Sequence, residues 1–204
     1  PGAFYTGEPP RGPLVLPGTY QVKLTLNGKT QTAQLEVIND PRLKNIVSQA
    51  DLQQQAELAA KVQTDIDSLH RAVNQIRGVR GNLQKAEKPS GTPNSEVTAA
   101  IKVLDAKMTP VEETLMQVKM KSSEGNLRYP NMLNEQYATF NDLIQSFDQV
   151  PTASQLQVYD ELHTRLTAQL AKWQQIQTTD VAALNDLLRK SGAPALTVGS
   201  GQGE

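Results

Sequence analysis

Apolar and polar residues alternate strictly through Tyr20, Val22, Leu24 and Leu26, with Gln21, Lys23 and Thr25 between them. Period two marks a strand with one face turned to an apolar partner. Asn27-Gly28 follows, the pair that best tolerates the two positive φ angles of a type I′ turn. A two-residue turn fixes the register, so Leu26 faces Lys29, Leu24 faces Gln31, Val22 faces Ala33 and Tyr20 faces Leu35. Pro17-Gly18 leads in and Asn39-Asp40-Pro41 leads out. Residues 18–38 therefore read as one β-hairpin. Such a hairpin is marginal in water on its own, and its apolar face needs either the rest of this chain or a sheet from elsewhere. Pro1 to Leu16, with its Gly and Pro, reads as loop with at most a short strand at 14–16.

After the hairpin the period changes to that of helices. Ser48 and Asp51 form a capping-box pattern, and the stripe Val62, Ile66, Leu69, Val73, Ile76 and Leu83 repeats at 4,3 spacing with Arg80 in register, a heptad seam. Lys88 to Pro93 is a break. A second seam runs Val97, Ile101, Leu104, Met108, Val111, Leu115, Val118, and it keeps phase across Pro110, which predicts a kink rather than a stop. A restart of the helix at Pro110 is the alternative. A loop over 122–129 precedes a third helix with Leu133, Tyr137, Phe140, Ile144 and Phe147. Thr152 with Gln155 is another capping box, opening a fourth helix through Leu156, Tyr159, Leu162, Leu166, Leu170, Trp173 and Ile176, and onward through Leu184, Leu187 and Leu188. Ser191-Gly192 and Pro194 end it, and the small, polar residues beyond read as fraying.

These segments predict a mainly α fold: an elongated up-down-up-down four-helix bundle preceded by a β-hairpin. The expected units are a partial β segment at 1–42, the bundle at 43–192 and a flexible tail at 193–204. The short third helix leaves one end thinner, a candidate contact surface.

Composition removes several functions. The chain has 204 residues, 20 Lys+Arg against 21 Asp+Glu and no cysteine. Through Arg42 there are 4 basic and 3 acidic residues, and 16 and 18 after it. Neither part has the basic excess expected of a nucleic-acid binder. Lack of cysteine excludes disulfides, thiolate metal sites and cysteine nucleophiles. No apolar run reaches the roughly 20 residues of a membrane-spanning helix. Aromatic residues make up only 4%, too few for a base-stacking platform. The first residue, Pro1, is neither an initiator nor part of a signal peptide, and the chain reads as a piece of something longer.

Candidate chemistry is sparse. His70 and His163 sit beside apolar stripes without a Glu-x-x-His or His-x-x-x-His companion, the setting of ordinary flank histidines. Glu112-Glu113 and Asp160-Glu161 are adjacent pairs, pointing about 100° apart on a helix, and read as solvated faces. Trp173 lies on a stripe and reads as core. Arg71, Arg77, Arg80 and Lys85 form a basic patch near the end of helix one. It is either an interaction patch or a set of cations favoured by the helix dipole. No catalytic, cofactor-binding or metal-binding residue is assigned.

Several short motifs carry a resemblance. They are Tyr5-x-Gly7, Gly12-Pro13-Leu14, the run Pro17 to Thr25, Asn27-Gly28 and Asp40-Pro41-Arg42. Further along come Ile76-Arg77 with Arg80, Leu127 to Pro130, Leu133-Asn134, Pro151-Thr152 and Ala183-Leu184-Asn185. Together they resemble the C-terminal region of large bacterial proteins with sortilin-like or BNR (Asp-box) β-propellers, often labelled glycosyl-hydrolase-like. In these an immunoglobulin-like or FlgD-like sandwich and then a helical region follow the propeller. The resemblance implies that the hairpin closes such a sandwich and that the protein is secreted, periplasmic or on the cell surface. It supplies no active site, because the propeller motif Ser-x-Asp-x-Gly-x-x-Trp is absent and the sialidase-type arginines match no residue here. The expected role is a non-catalytic accessory module that packs on the upstream domains, dimerises or holds a protein partner. An independent helical carrier of lipid or peptide, with the hairpin folded onto the bundle, is the alternative.

Overall fold

The structure, a computed structural model, describes residues 10–86 and 95–201. The Lys88 to Pro93 break and Tyr5-x-Gly7 lie outside them, and so does the side chain of Lys85.

Strands β1 (Gly18–Leu26) and β2 (Lys29–Val37) pair antiparallel, with Leu26 opposite Lys29, Leu24 opposite Gln31 and Tyr20 opposite Leu35. The turn has φ 50° at Asn27 and 75° at Gly28, the left-handed pair that Asn-Gly accommodates. A 3₁₀ turn at Pro41–Leu43 then leads to helix α1 (Gln49–Ala86). The Ser48 hydroxyl accepts from the Asp51 amide at 3.2 Å, and Asp51 accepts from the Ser48 amide at 2.9 Å. That reciprocal box satisfies two donors that a helix start leaves orphaned.

Helix α2 (Ser95–Leu115) passes through Pro110 without stopping. Its phase holds, since Met108 and Val111 on either side are both buried. Helices α3 (Leu133–Gln145) and α4 (Ala153–Gln175) follow, the latter opened by the Thr152–Gln155 box. One π turn, Ile176–Val181, joins α4 to α5 (Ala182–Lys190). The spacing of buried residues explains it. Trp173 and Ile176 are three apart, the next buried residue is Val181, five further on, and Leu184 and Leu188 resume at three and four. A wider turn absorbs the extra residue and keeps one face on the core.

Paired contacts give the helix directions. Arg77 meets Glu112 and Arg80 meets Asp105, so α1 and α2 run antiparallel. Gln55 meets Ile144, Asp65 meets Tyr137 and His70 meets Asn134, so α3 also runs against α1. Asp65 meets His163 and Gln75 meets Trp173, so α4 runs with α1. The up-down-up-down expectation is thereby corrected. α2 and α3 descend one after the other along the same side of α1, and α4 with α5 returns, giving three helical rods in cross-section. The connection after Leu115 does not reverse the chain. Met116 and Met120 are buried in it, and Gln117 donates to the Pro130 carbonyl at 2.8 Å. Gly125 lies so close that a Cβ there would come within 2.8 Å of Met120 Cγ. The kinked connection thus folds on itself and hands the chain back to the same groove.

The expected fraying tail is also corrected for its described part. Leu196 is buried, and Ala193 and Val198 pack on the core. Asn185 brackets Leu196, donating to its carbonyl at 3.1 Å and accepting from its amide at 2.7 Å. By contrast, among the described residues neither β-strand packs against a helix.

Deleting Thr179, an exposed residue of the π turn, should leave a regular α-helix with the same core face. Circular dichroism should show a cooperative melt within a few degrees of the parent. Deleting the exposed Ala168 in mid-α4 should instead rotate Trp173 by about 100° and abolish the cooperative transition.

Candidate functional site

Three places gather polar or exposed groups that simple packing would not put there. The first is where α1 meets α2. Arg80 sits in register with the apolar seam, so its guanidinium must leave the core sideways. It meets Asp105 Oδ1 at 2.7 Å and Glu112 Oε2 at 2.5 Å, while Arg77 Nε reaches Glu112 Oε1 at 2.6 Å. Glu112 is buried, not solvated as its adjacent-pair pattern suggests, because both its oxygens are taken by arginines. Burial alone would push its carboxyl up, but the hydrogen bonds from Arg80 and Arg77 outweigh it and hold the group below the ordinary range. Two residues of the candidate basic patch are thus turned into an internal ion-pair cluster. Arg71 remains exposed, its main chain against Gly201.

The second place lies at the junction of α1, α3 and α4. Asp65 is buried and Oδ2 accepts from the Tyr137 hydroxyl at 2.8 Å and from His163 Nδ1 at 2.8 Å. His163 is half exposed and stacks on Tyr159 with ring centroids 5.5 Å apart. A carboxylate holding one imidazole nitrogen leaves the other free, which is the start of a general base. Tyr159, however, approaches the same Nδ1 at 3.5 Å, so it does not supply the third member of a relay. His70 is held separately by Asn134 Oδ1 at 2.7 Å, and the two histidines bind different partners. Among the described residues no three His, Asp or Glu are grouped to hold a metal. Asp160 and Glu161 are exposed.

Sequence reading missed Asp65 and Glu112 as buried groups. The signal was present, because each falls three or four residues from stripe positions: Asp65 between Val62 and Leu69, Glu112 between Met108 and Leu115.

The third place is the hairpin. Its register puts Tyr20, Val22, Leu24, Leu35 and Val37 on one face, with Leu26 at the tip. Val22 and Leu35 are 49% exposed, Leu24 65% and Leu26 68%. At the base a cleft of about 280 Å³ lies between 14–17, 37–40 and the start of α1, lined by Leu14, Val15, Ile38 and Leu52. Leu14, Val15 and Ile38 are themselves mostly exposed. The strap leading to the hairpin is tied down by Asn141, which donates to the Arg11 carbonyl at 3.0 Å, and by the Leu14 amide donating to Gln145 at 2.9 Å. A contiguous exposed apolar surface of this kind marks an interaction site more often than chance.

Glu112→Ala should cost about 2–3 kcal/mol in chemical denaturation. That is at or below the low end for a broken buried pair, because both guanidinium groups keep roughly a quarter of their surface in water. In the parent, the depressed Glu112 carboxyl stabilises the fold above the ordinary carboxyl range, and this stabilisation is lost as pH falls below it. At the other extreme, burial first and the Asp65 charge second push Tyr159 up to about 12, and burial with Asp65 pushes Tyr137 further still. Unfolded tyrosines ionise near pH 10, so the unfolded state binds fewer protons above that and stability should fall from about pH 10 to about pH 12. Absorbance at 295 nm should show two late-ionising tyrosines, and Tyr137→Phe should remove the latest at a cost of about 1–2 kcal/mol.

No family model matches the chain, and no curated protein or solved structure matches it at a significant level.

Proposed function

We propose that this chain is a non-catalytic accessory module of a secreted bacterial β-propeller protein. It works by contact: the hairpin adds two strands to the immunoglobulin-like sandwich upstream, and the helical rods brace the assembly. The observation that carries this reading is the apolar face of β1 and β2, which lies open beyond its base at Val37 and has no helix packed along it among the described residues. An alternating strand pair invests one face in burial, and here that face is in water. Both outer edges add rows of backbone donors and acceptors suited to strand addition. The neighbouring cleft extends the apolar surface towards the bundle, so a docked sandwich has a second wall to rest on. The charged and histidine clusters support the reading from the other side, since their polar atoms are turned to one another across helix interfaces. A carrier with the hairpin folded onto the bundle is less well supported, because the hairpin stands away from the helices.

The test is native-state hydrogen exchange. In the isolated chain, amides of β1 and β2 should exchange far faster than those of α1. Addition of the sandwich lacking its final strands should slow them by at least about 100-fold. Leu24→Lys with Leu26→Lys should abolish that protection without moving the melting midpoint of the helices. Hairpin protection equal to that of α1 in the isolated chain would sink the proposal, as would glycosidase or peptidase turnover by the chain alone.

A further inference from the structure

The groove between α1 and the α4–α5 rod is filled by residues 193–201, and the manner of filling is that of a peptide in a binding site. Four carboxamide side chains take hold of the main chain. Besides the Asn185 bracket on Leu196, Asn82 donates to the Thr197 carbonyl at 3.4 Å and Asn74 to that of Gly201 at 3.1 Å. Gln75 is the centre. Its Nε2 donates to the carbonyls of Gly199 and Ser200 at 3.2 and 3.4 Å. Its Oε1 accepts from Trp173 Nε1 at 2.8 Å and from Gln177 at 3.1 Å. The two bonds on the oxygen fix which way the amide faces, so its donors point at the groove before any strand arrives. These contacts read backbone groups, which every peptide carries. Selectivity comes from the side chains: Leu196 is buried and Val198 partly so, two positions apart, while Thr197 between them is exposed. Gly201, at φ 73°, lies directly on the Arg71 main chain where a Cβ has no room.

We propose that this groove is a peptide-binding site, occupied in cis by the chain's own tail. Its ligand class is an extended, uncharged segment with aliphatic side chains two residues apart and a glycine three residues after the second of them. No charge is desolvated on either side, so the tail can leave and return without a large electrostatic cost. Tethering through Ser191 and Gly192 gives the tail a high effective concentration, and a peptide from another molecule competes against that. The site therefore binds weakly in the intact chain and strongly once the tail's own grip is reduced. It is distinct from the hairpin surface and stands or falls independently of it.

The probe is the fluorescein-labelled peptide Ala-Pro-Ala-Leu-Thr-Val-Gly-Ser-Gly, which copies residues 193–201. Fluorescence anisotropy should show it binding the full-length variant Leu196→Ser/Val198→Ser at least about tenfold tighter than the parent chain. Gln75→Ala in that background should abolish binding while circular dichroism stays helical. Equal or absent binding to parent and variant, with helices intact, would overturn the proposal, as would binding indifferent to Gln75. Should the variant unfold, hydrogen exchange on the parent decides. A Leu196 amide that opens well before the α1 core supports a detachable ligand, and one that opens only with global unfolding overturns it.

Discussion

The apolar seam of α1 is the constraint to which the other helices conform. Its residues from Leu58 to Leu83 form an almost unbroken buried line, on a helix of 38 residues and thus about 57 Å long. Among the described residues no single partner matches that length with a regular helix. Each adjusts its phase instead. α2 absorbs Pro110 within its helical run. α2 and α3 cover the line in succession, separated by a connection that buries Met116 and Met120. α4 and α5 stay on it by inserting one π turn. Heptad spacing in one element thus explains irregularities in three others, because a helix that drifts off the seam exposes its apolar face to water.

Polar groups inside this frame follow a common rule. A buried carboxylate is tolerated where donors reach it, from a different helix at Glu112 and Asp65 and from the start of its own helix at Glu135, through the Met132 amide and Asn134. The first two also tie helices together: each joins two or three helices at one level and so penalises a slip of a single residue. The carboxamides of Gln75, Asn82 and Asn185 do related work with no net charge, clothing the main chain of a segment that belongs to no helix or sheet. Here the proposed peptide groove differs from the charged clusters: an uncharged contact costs less to break and remake.

The hairpin obeys none of this. Its apolar residues are aligned by register but meet no second layer among the described residues, so there the strand pair forms without burying its apolar face. The bundle end that carries it also exposes Leu14, Val15, Ile38 and Phe147. Such a surface is where a protein that acts by contact would meet its partner, in keeping with the proposed accessory role.

Local features were legible in the amino-acid sequence for a local reason. The Asn-Gly turn and its register, both capping boxes and the seams of α1 and α2 depend on residues within four or five positions of one another, where backbone geometry and hydrogen-bond reach leave few alternatives. The direction of α3, the burial of Glu112 and Asp65, and the docking of Leu196 depend on partners far along the chain: Arg77 and Arg80 for Glu112, Tyr137 and His163 for Asp65, Gln75 and Asn82 for the tail. Short loops suggested reversals, but the connection between α2 and α3 folds on its own methionines and continues in the same sense. The sequence by itself determined which segments become helix or strand and, for the long helices, which face is hidden. Only the tertiary structure decided which helices share a side and which polar atoms meet, since those pairings are chosen by long-range packing that no local pattern encodes.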